Sequence, residues 1–298
     1  MFLRSKTRLS VLMIPVAAAT LCNLLFQSAS PAIATDQNKS GSSEAHAPTA
    51  GTIASRLKET YPGLIKDIEG NEVIFSDDTR LPLDDGHTNK SFSDWLETPD
   101  IEDMFRIPYV AGNVLGPPGV DADPGRARNS AFFAKIYGDC RGGKFANSLV
   151  DVVWLPKKSG QKLKATKING VAERLKAISL ELDDLPPSFD VYLIPSAGTY
   201  NCRVVAGTKN MSAHGYGIAI DIALKHAHYW RWMKTAASSA MAYKNDIPIE
   251  IVRIFEKHGF IWGGKWYHYD TMHFEYRPEL LPPESLLAPV PSEPVSTP

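Results

Sequence analysis

Apolar residues come along this chain in short runs bounded by glycine, proline or polar residues, and the spacing within each run predicts an element. Two apolar stretches flank Gly70-Asn71 within Asp67–Phe75, which predicts a hairpin. Ser91–Pro108, rich in acids and aromatics, predicts a short helix, and Val150–Leu155 a strand. Val171, Leu175, Ile178 and Leu182 share one helical face, with Asn169 as the cap and Pro186-Pro187 as the stop. Val191–Ile194 and Gly217–Ala223 predict further strands, and Tyr229-Trp230-Arg231-Trp232 the start of another helix. Pro248 suits the first turn of a helix bearing Ile251, Ile254 and Phe255, which Gly259 ends. Met272–Tyr276 predicts a last strand. Helices and short strands keep no βαβ alternation, so the expected fold class is α+β.

The N-terminus reads differently. Arg4, Lys6 and Arg8 precede an apolar stretch from Leu9 to Phe26, and Ala32-Ile33-Ala34 follows as a small-residue cleavage site. Residues 1–34 are therefore expected to be a signal peptide, with a mature start near Thr35. An uncleaved anchor is the rival reading. Thr20, Cys22, Asn23 and Gln27 interrupt the stretch and, with the cleavage site, favour removal. A lipoprotein reading through Cys22 is weaker, because Leu21 is a poor residue before a modified cysteine. The expected protein is periplasmic or secreted, keeps no stable membrane anchor, and is a monomer.

Residues 35–52 lack an apolar period and read as a flexible linker. Residues 53–125 form an N-terminal accessory region without a chemical motif, either a small domain or a layer on the next one. The Pro/Gly-rich stretch from Gly116 to Gly125 marks the boundary before the catalytic region, 126–281. Residues 282–298 read as a Pro-rich tail. A net charge of -1 offers no footprint for nucleic acid. Once Cys22 leaves with the signal, Cys140 and Cys202 form either one disulfide or two buried thiols. A bridge over a loop of about sixty residues would contribute roughly 4 kcal/mol.

Two strings carry the chemistry, Ser212-Ala213-His214-Gly215-Tyr216-Gly217-Ile218-Ala219-Ile220-Asp221 and Asp270-Thr271-Met272-His273-Phe274-Glu275. Two imidazoles and a carboxylate, leaving a fourth position open, suit a hydrolytic zinc site. His214 and Asp221 need a bend between them to share a metal, and Gly215 and Gly217 supply that freedom. Taken alone, His214 reads as a turn histidine. Asp221 in an apolar strand is costly unless paired or metal-bound. Asp270 is placed to move protons at the open position, and Glu275 is the rival base or a partner of His273. Arg203 could polarise a carbonyl or clamp a carboxylate, and Ser212 could hold the loop or substrate backbone. His226 and His228 read as surface residues, His258 suits a helix C-terminus, and His268 lines the cleft. No His-Glu-x-x-His string is present.

At these residues the chain resembles the zinc-dependent D-Ala-D-Ala carboxypeptidase family, whose core is shared with the hedgehog signalling domain. The first string matches the family's Ser-x-His-x-x-Gly-x-Ala-x-Asp metal motif in full. Asp-x-x-His-Phe-Glu resembles the branch with L-alanyl-D-glutamate endopeptidases, whereas vancomycin-resistance enzymes usually carry Glu at the position of Asp270. The resemblance covers residues 129–281. It implies a small, mainly antiparallel sheet with flanking helices, and Zn2+ held by His214, Asp221 and His273. It also implies Asp270 as the base and, on the local Asn-x-Arg context alone, Arg203 as the polarising residue. The implied substrate is a peptidoglycan stem peptide or another D-amino-acid-containing peptide. The alternative is a non-catalytic zinc-binding, cell-wall-binding module on the same core.

Overall fold

A computed structural model describes residues 48–112, 116–233, 242–283 and 286. The expected signal peptide, nearly all of the linker and nearly all of the tail lie outside the described residues. Thr49 caps the first helix, α1 (Ala50–Thr60), its hydroxyl accepting the Thr52 amide at 3.3 Å. The last residues of the expected linker are thus helical. The cause is the buried pair Ile53 and Leu57, one turn apart, which needs a helical turn ahead of it to face inward.

The expected hairpin is β1 (Ile65–Glu69) and β2 (Glu72–Phe75), to which β3 (Arg80–Pro82) adds a third antiparallel strand. Then come the expected short helix α2 (Phe92–Glu97), α3 (Ser130–Tyr137), and an antiparallel pair, β4 (Leu149–Trp154) and β5 (Gln161–Thr166). Helix α4 (Val171–Asp183) buries Val171, Leu175, Ile178 and Leu182, as their spacing requires. Its cap differs from expectation. Gly170 takes that place at φ 68, and Asn169, at φ 52, donates its side-chain amide to the Thr60 carbonyl. Asn169 therefore joins the end of α1 to the start of α4.

Val191–Ile194 is not a strand. Asp190–Leu193 forms one helical turn, α5, closed by the Ile194 amide on the Asp190 carbonyl at 2.9 Å. A run of four apolar residues is too short for period 2 and period 3.6 to be told apart. Nor do Tyr229–Trp232 open a helix among the described residues. Tyr229 forms a β-bridge with Asp270, and the Trp230 amide donates to the Tyr269 carbonyl.

The last sheet holds the candidate chemistry. It comprises β6 (Ala219–Asp221), β7 (Phe260–Trp262) and β8 (His273–Tyr276), antiparallel in the order β6-β8-β7. Between β6 and β7 runs α6 (Ile249–Lys257), which Pro248 precedes and Gly259, at φ 90, follows. Alternation along β8 sends Phe274 onto Phe255 of α6, with ring centroids 3.8 Å apart, and turns His273 and Glu275 the other way. The class is α+β with small antiparallel sheets. Among the described residues no helix is long and apolar enough to cross a membrane.

Cys140 and Cys202, 62 residues apart, are bonded with Cα atoms 5.7 Å apart. The bridge fixes the segment in which the Asn201 amide donates to the His214 carbonyl. Replacing both cysteines by serine is expected to lower unfolding free energy by up to about 4 kcal/mol. Urea midpoints of the two proteins measure this, and coincident midpoints would show that the closed loop adds nothing to stability.

Candidate functional site

Ser212 opens a 3-10 turn at Ala213–Tyr216 that carries His214, and Gly217 closes it at φ 68. This is the bend that the sequence required. A side chain at Gly217 would also press on the Thr166 amide and the Leu149 methyl, about which the turn folds. The chain then enters β6, where Asp221 lies directly opposite His273 of β8. Cross-strand partners bring their side chains together, so the sheet itself sets one edge of the site.

His214 Nε2, His273 Nδ1 and Asp221 Oδ1 form a triangle with edges of 3.2, 3.3 and 3.0 Å. Donors about 2.0–2.1 Å from one tetrahedral zinc lie about 3.3 Å apart, so the three atoms fit that ion. His214 Nδ1 donates to the Thr199 carbonyl and His273 Nε2 to Glu275 Oε2 at 3.1 Å, so each ring is anchored through the nitrogen facing away from the triangle and would turn the lone pair of its other nitrogen to a bound metal. Burial disfavours a charged Asp221, yet His214 and His273 hold its carboxyl well below the ordinary range. Burial likewise opposes a proton on His273, but Asp221 and Glu275 on its two nitrogens push it up to about 10. Two carboxylates about one ring favour positive charge there, which a proton or a metal ion can supply.

Glu275 is fully buried, and its carboxylate is fully engaged. Arg128 grips it through Nε and Nη2, and Arg277 Nη1 donates to its other oxygen at 3.2 Å. Burial would raise its carboxyl, but Arg128, His273 and Arg277 keep it well below the usual carboxylate range. Its place is behind His273, fixing the ring.

Asp270 has the opposite character. A tight turn, in which the His273 amide donates to the Asp270 carbonyl at 3.2 Å, folds it back beside the triangle. Its Oδ1 is buried without a hydrogen-bond partner. Burial raises its carboxyl to about 6, with Asp221 adding to the effect and His273 and Arg126 opposing it. A carboxyl poised near neutrality suits proton transfer.

The loop from Ala122 to Arg128, which begins inside the expected boundary stretch Gly116–Gly125 and runs into the expected catalytic region, is a collar around this site. The Ala122 carbonyl accepts the Tyr267 amide, and the Pro124 carbonyl accepts Trp266 Nε1 at 2.8 Å. Asp123 accepts both the amide and Nδ1 of His268 at 2.9 Å. The Gly125 carbonyl accepts Arg277 Nη1, and Arg128 holds Glu275. Sequence reasoning missed Asp123, Arg126 and Arg128. The only signal was a set of charges at the end of a Pro/Gly stretch and just after it, and nothing local pairs Arg128 with a residue 147 positions away.

The remaining candidates lie as follows. Arg203 is exposed, tied to the site loop through its carbonyl, which accepts the Ser212 amide at 3.0 Å. His268 stacks on Phe92, and His228 pairs with Asp246 at 2.7 Å. His226 lies against the Tyr192 ring. His258 is buried against Glu181 at 2.6 Å, so a carboxylate partners it as well as its helix end. A second carboxylate group, Asp84, Asp85 and Asp100, already holds a cation: Lys90 Nζ lies 2.7 Å from Asp85 and 3.0 Å from Asp100.

Replacing Glu275 by glutamine removes the charge that fixes His273 and leaves two arginines unbalanced. Zinc affinity, read by chelator competition, is expected to fall roughly 10- to 100-fold. An unchanged affinity would show that His273 is held in place without Glu275.

Residues 206–276 match the family model described as D-alanyl-D-alanine carboxypeptidase. The match takes in His214, Asp221, Asp270, His273 and Glu275 and begins just after Arg203. No curated protein and no solved structure is significantly similar to the chain.

Proposed function

We propose that this chain, a peptidase of the D-alanyl-D-alanine carboxypeptidase family through residues 206–276, is a zinc-dependent hydrolase of peptidoglycan stem peptides. The bond cut is that of a D-Ala-D-Ala carboxypeptidase or of an L-Ala-D-Glu-type endopeptidase. The observation that carries this reading is the donor triangle of His214, Asp221 and His273 beside Asp270, whose buried Oδ1 has no hydrogen-bond partner. A non-catalytic zinc module would have no use for that carboxyl.

His214 Nε2, Asp221 Oδ1 and His273 Nδ1 would hold the ion. When bound, zinc supplies Lewis acidity, enough to bring water to a pKa near about 7. Asp270 takes one proton from the attacking water as the new C–O bond forms, then delivers it to the amine nitrogen as the C–N bond breaks. Its raised pKa suits both halves of that exchange, because it binds the proton without keeping it. His214 and His273 keep their donor tautomers throughout, each through its other ring nitrogen. Arg203, on the exposed segment beside the turn of His214, would steady negative charge on the carbonyl oxygen. The signal-like residues 1–34 support action in the periplasm or outside the cell, where peptidoglycan lies.

Asp270→Asn is expected to keep zinc but lower turnover roughly 10²–10⁴-fold. A rate equal to wild type would remove Asp270 from proton transfer. The reaction itself is tested by mass spectrometry of purified muropeptides, with the zinc-loaded and the chelated protein side by side. Zinc-dependent loss of a D-Ala mass, or cleavage next to L-Ala, names the bond. No change with zinc confirmed bound would exclude the stem peptide as substrate.

A further inference from the structure

We propose that Tyr61, at the end of α1, is a positioning residue of the metal centre, acting on His273 through the buried side chains of Glu279, Arg277 and Glu275. The inference rests on the zinc reading above and extends it to a part of the chain outside the matched residues 206–276. The chain of contacts is continuous. The Tyr61 hydroxyl donates to Glu279 Oε2 at 2.8 Å, and Arg277 Nε donates to Glu279 Oε1 at 2.5 Å. Arg277 Nη1 donates to Glu275 Oε1 at 3.2 Å, and Glu275 Oε2 accepts His273 Nε2 at 3.1 Å. Tyr61, Glu275, Arg277 and Glu279 are all 0% exposed, so water cannot replace a lost partner.

The vulnerable point is Arg277. Its planar fork offers Nε to one carboxylate and Nη1 to the other, which fixes Glu279 and Glu275 relative to each other. Its Nη2 is buried without a hydrogen-bond partner. Tyr61 takes one lone pair of Glu279 Oε2 and holds the carboxylate in an orientation in which Nη2 makes no hydrogen bond to it. Without the Tyr61 hydroxyl, Glu279 Oε2 becomes a buried anionic acceptor in need of a donor, and Nη2 of the same guanidinium is one. Rotation of the guanidinium toward Glu279 draws Nη1 off Glu275, and Glu275 then orients His273 less firmly. Tyr61 thereby keeps the arginine on the metal side.

The test separates this from simple docking of α1. Arg56 lies on the same helix and donates to the backbone carbonyls of Glu279 and Leu281 at 3.4 and 3.2 Å, touching no side chain of the relay. Zinc affinity by chelator competition and thermal melting are measured for wild type, Tyr61→Phe and Arg56→Ala as full-length proteins. Tyr61→Phe is expected to bind zinc roughly three- to tenfold more weakly, while Arg56→Ala melts lower with wild-type affinity. Wild-type affinity in Tyr61→Phe overturns the proposal, and so does an equal loss in Arg56→Ala, which would make helix docking the cause. If wild type itself binds no zinc, the zinc reading fails with it; tight binding by wild type and Tyr61→Phe alike removes only the role of Tyr61.

Discussion

The carboxylate of Glu275 is the contact on which the rest of the site depends. It is buried among Arg128, Arg277 and His273, and each of these comes from a different requirement of the fold. Arg128 belongs to the collar, Arg277 follows the strand that Glu275 sits on, and His273 faces the other donors. A buried charge left with fewer partners is costly, so the collar and the sheet close on Glu275 together or not at all. Once they close, the His273 ring has one orientation.

From that fixed ring the division of labour among the carboxylates follows from their surroundings. Glu275, Asp221 and Asp270 lie within one small region but see different partners. Glu275 meets two guanidinium groups and Asp221 meets two imidazoles, so both favour the charged form. At Asp270 burial, with Asp221 beside it, outweighs His273, Arg126 and His214, so it alone of the three is pushed toward neutrality. The same carboxyl group is thus held charged or pushed toward its neutral form according to what the fold sets beside it.

Much of this was legible in the sequence because the chemistry is local there. His214, Gly217 and Asp221 sit in one string, Asp270, His273 and Glu275 in another, and their spacing already required a bend and a strand. The long helical faces of α4 and α6 were equally plain, since several apolar residues recur at one period. What stayed hidden depends on contacts remote in sequence or on runs too short to carry a period. Arg128 and Arg277 draw meaning only from partners that the fold delivers. The four residues of Val191–Ile194 satisfy two periods equally, and the structure closes them into a helical turn on the Asp190 carbonyl. Asn169 has the chemistry of a cap but was needed elsewhere, on the Thr60 carbonyl.

The pairing of Asp221 with His273 across β6 and β8 makes strand alignment a ruler for the donor set. Moving β8 by one residue would present Phe274 where the imidazole belongs and turn His273 toward the aromatic packing of Phe255. No partial site survives that shift, because ligand, orienting carboxylate and apolar packing face all change sides together. A mispaired chain of this sequence would thus lose both its packing and the donor group, and proofreading of the sheet is at the same time proofreading of the cluster it carries.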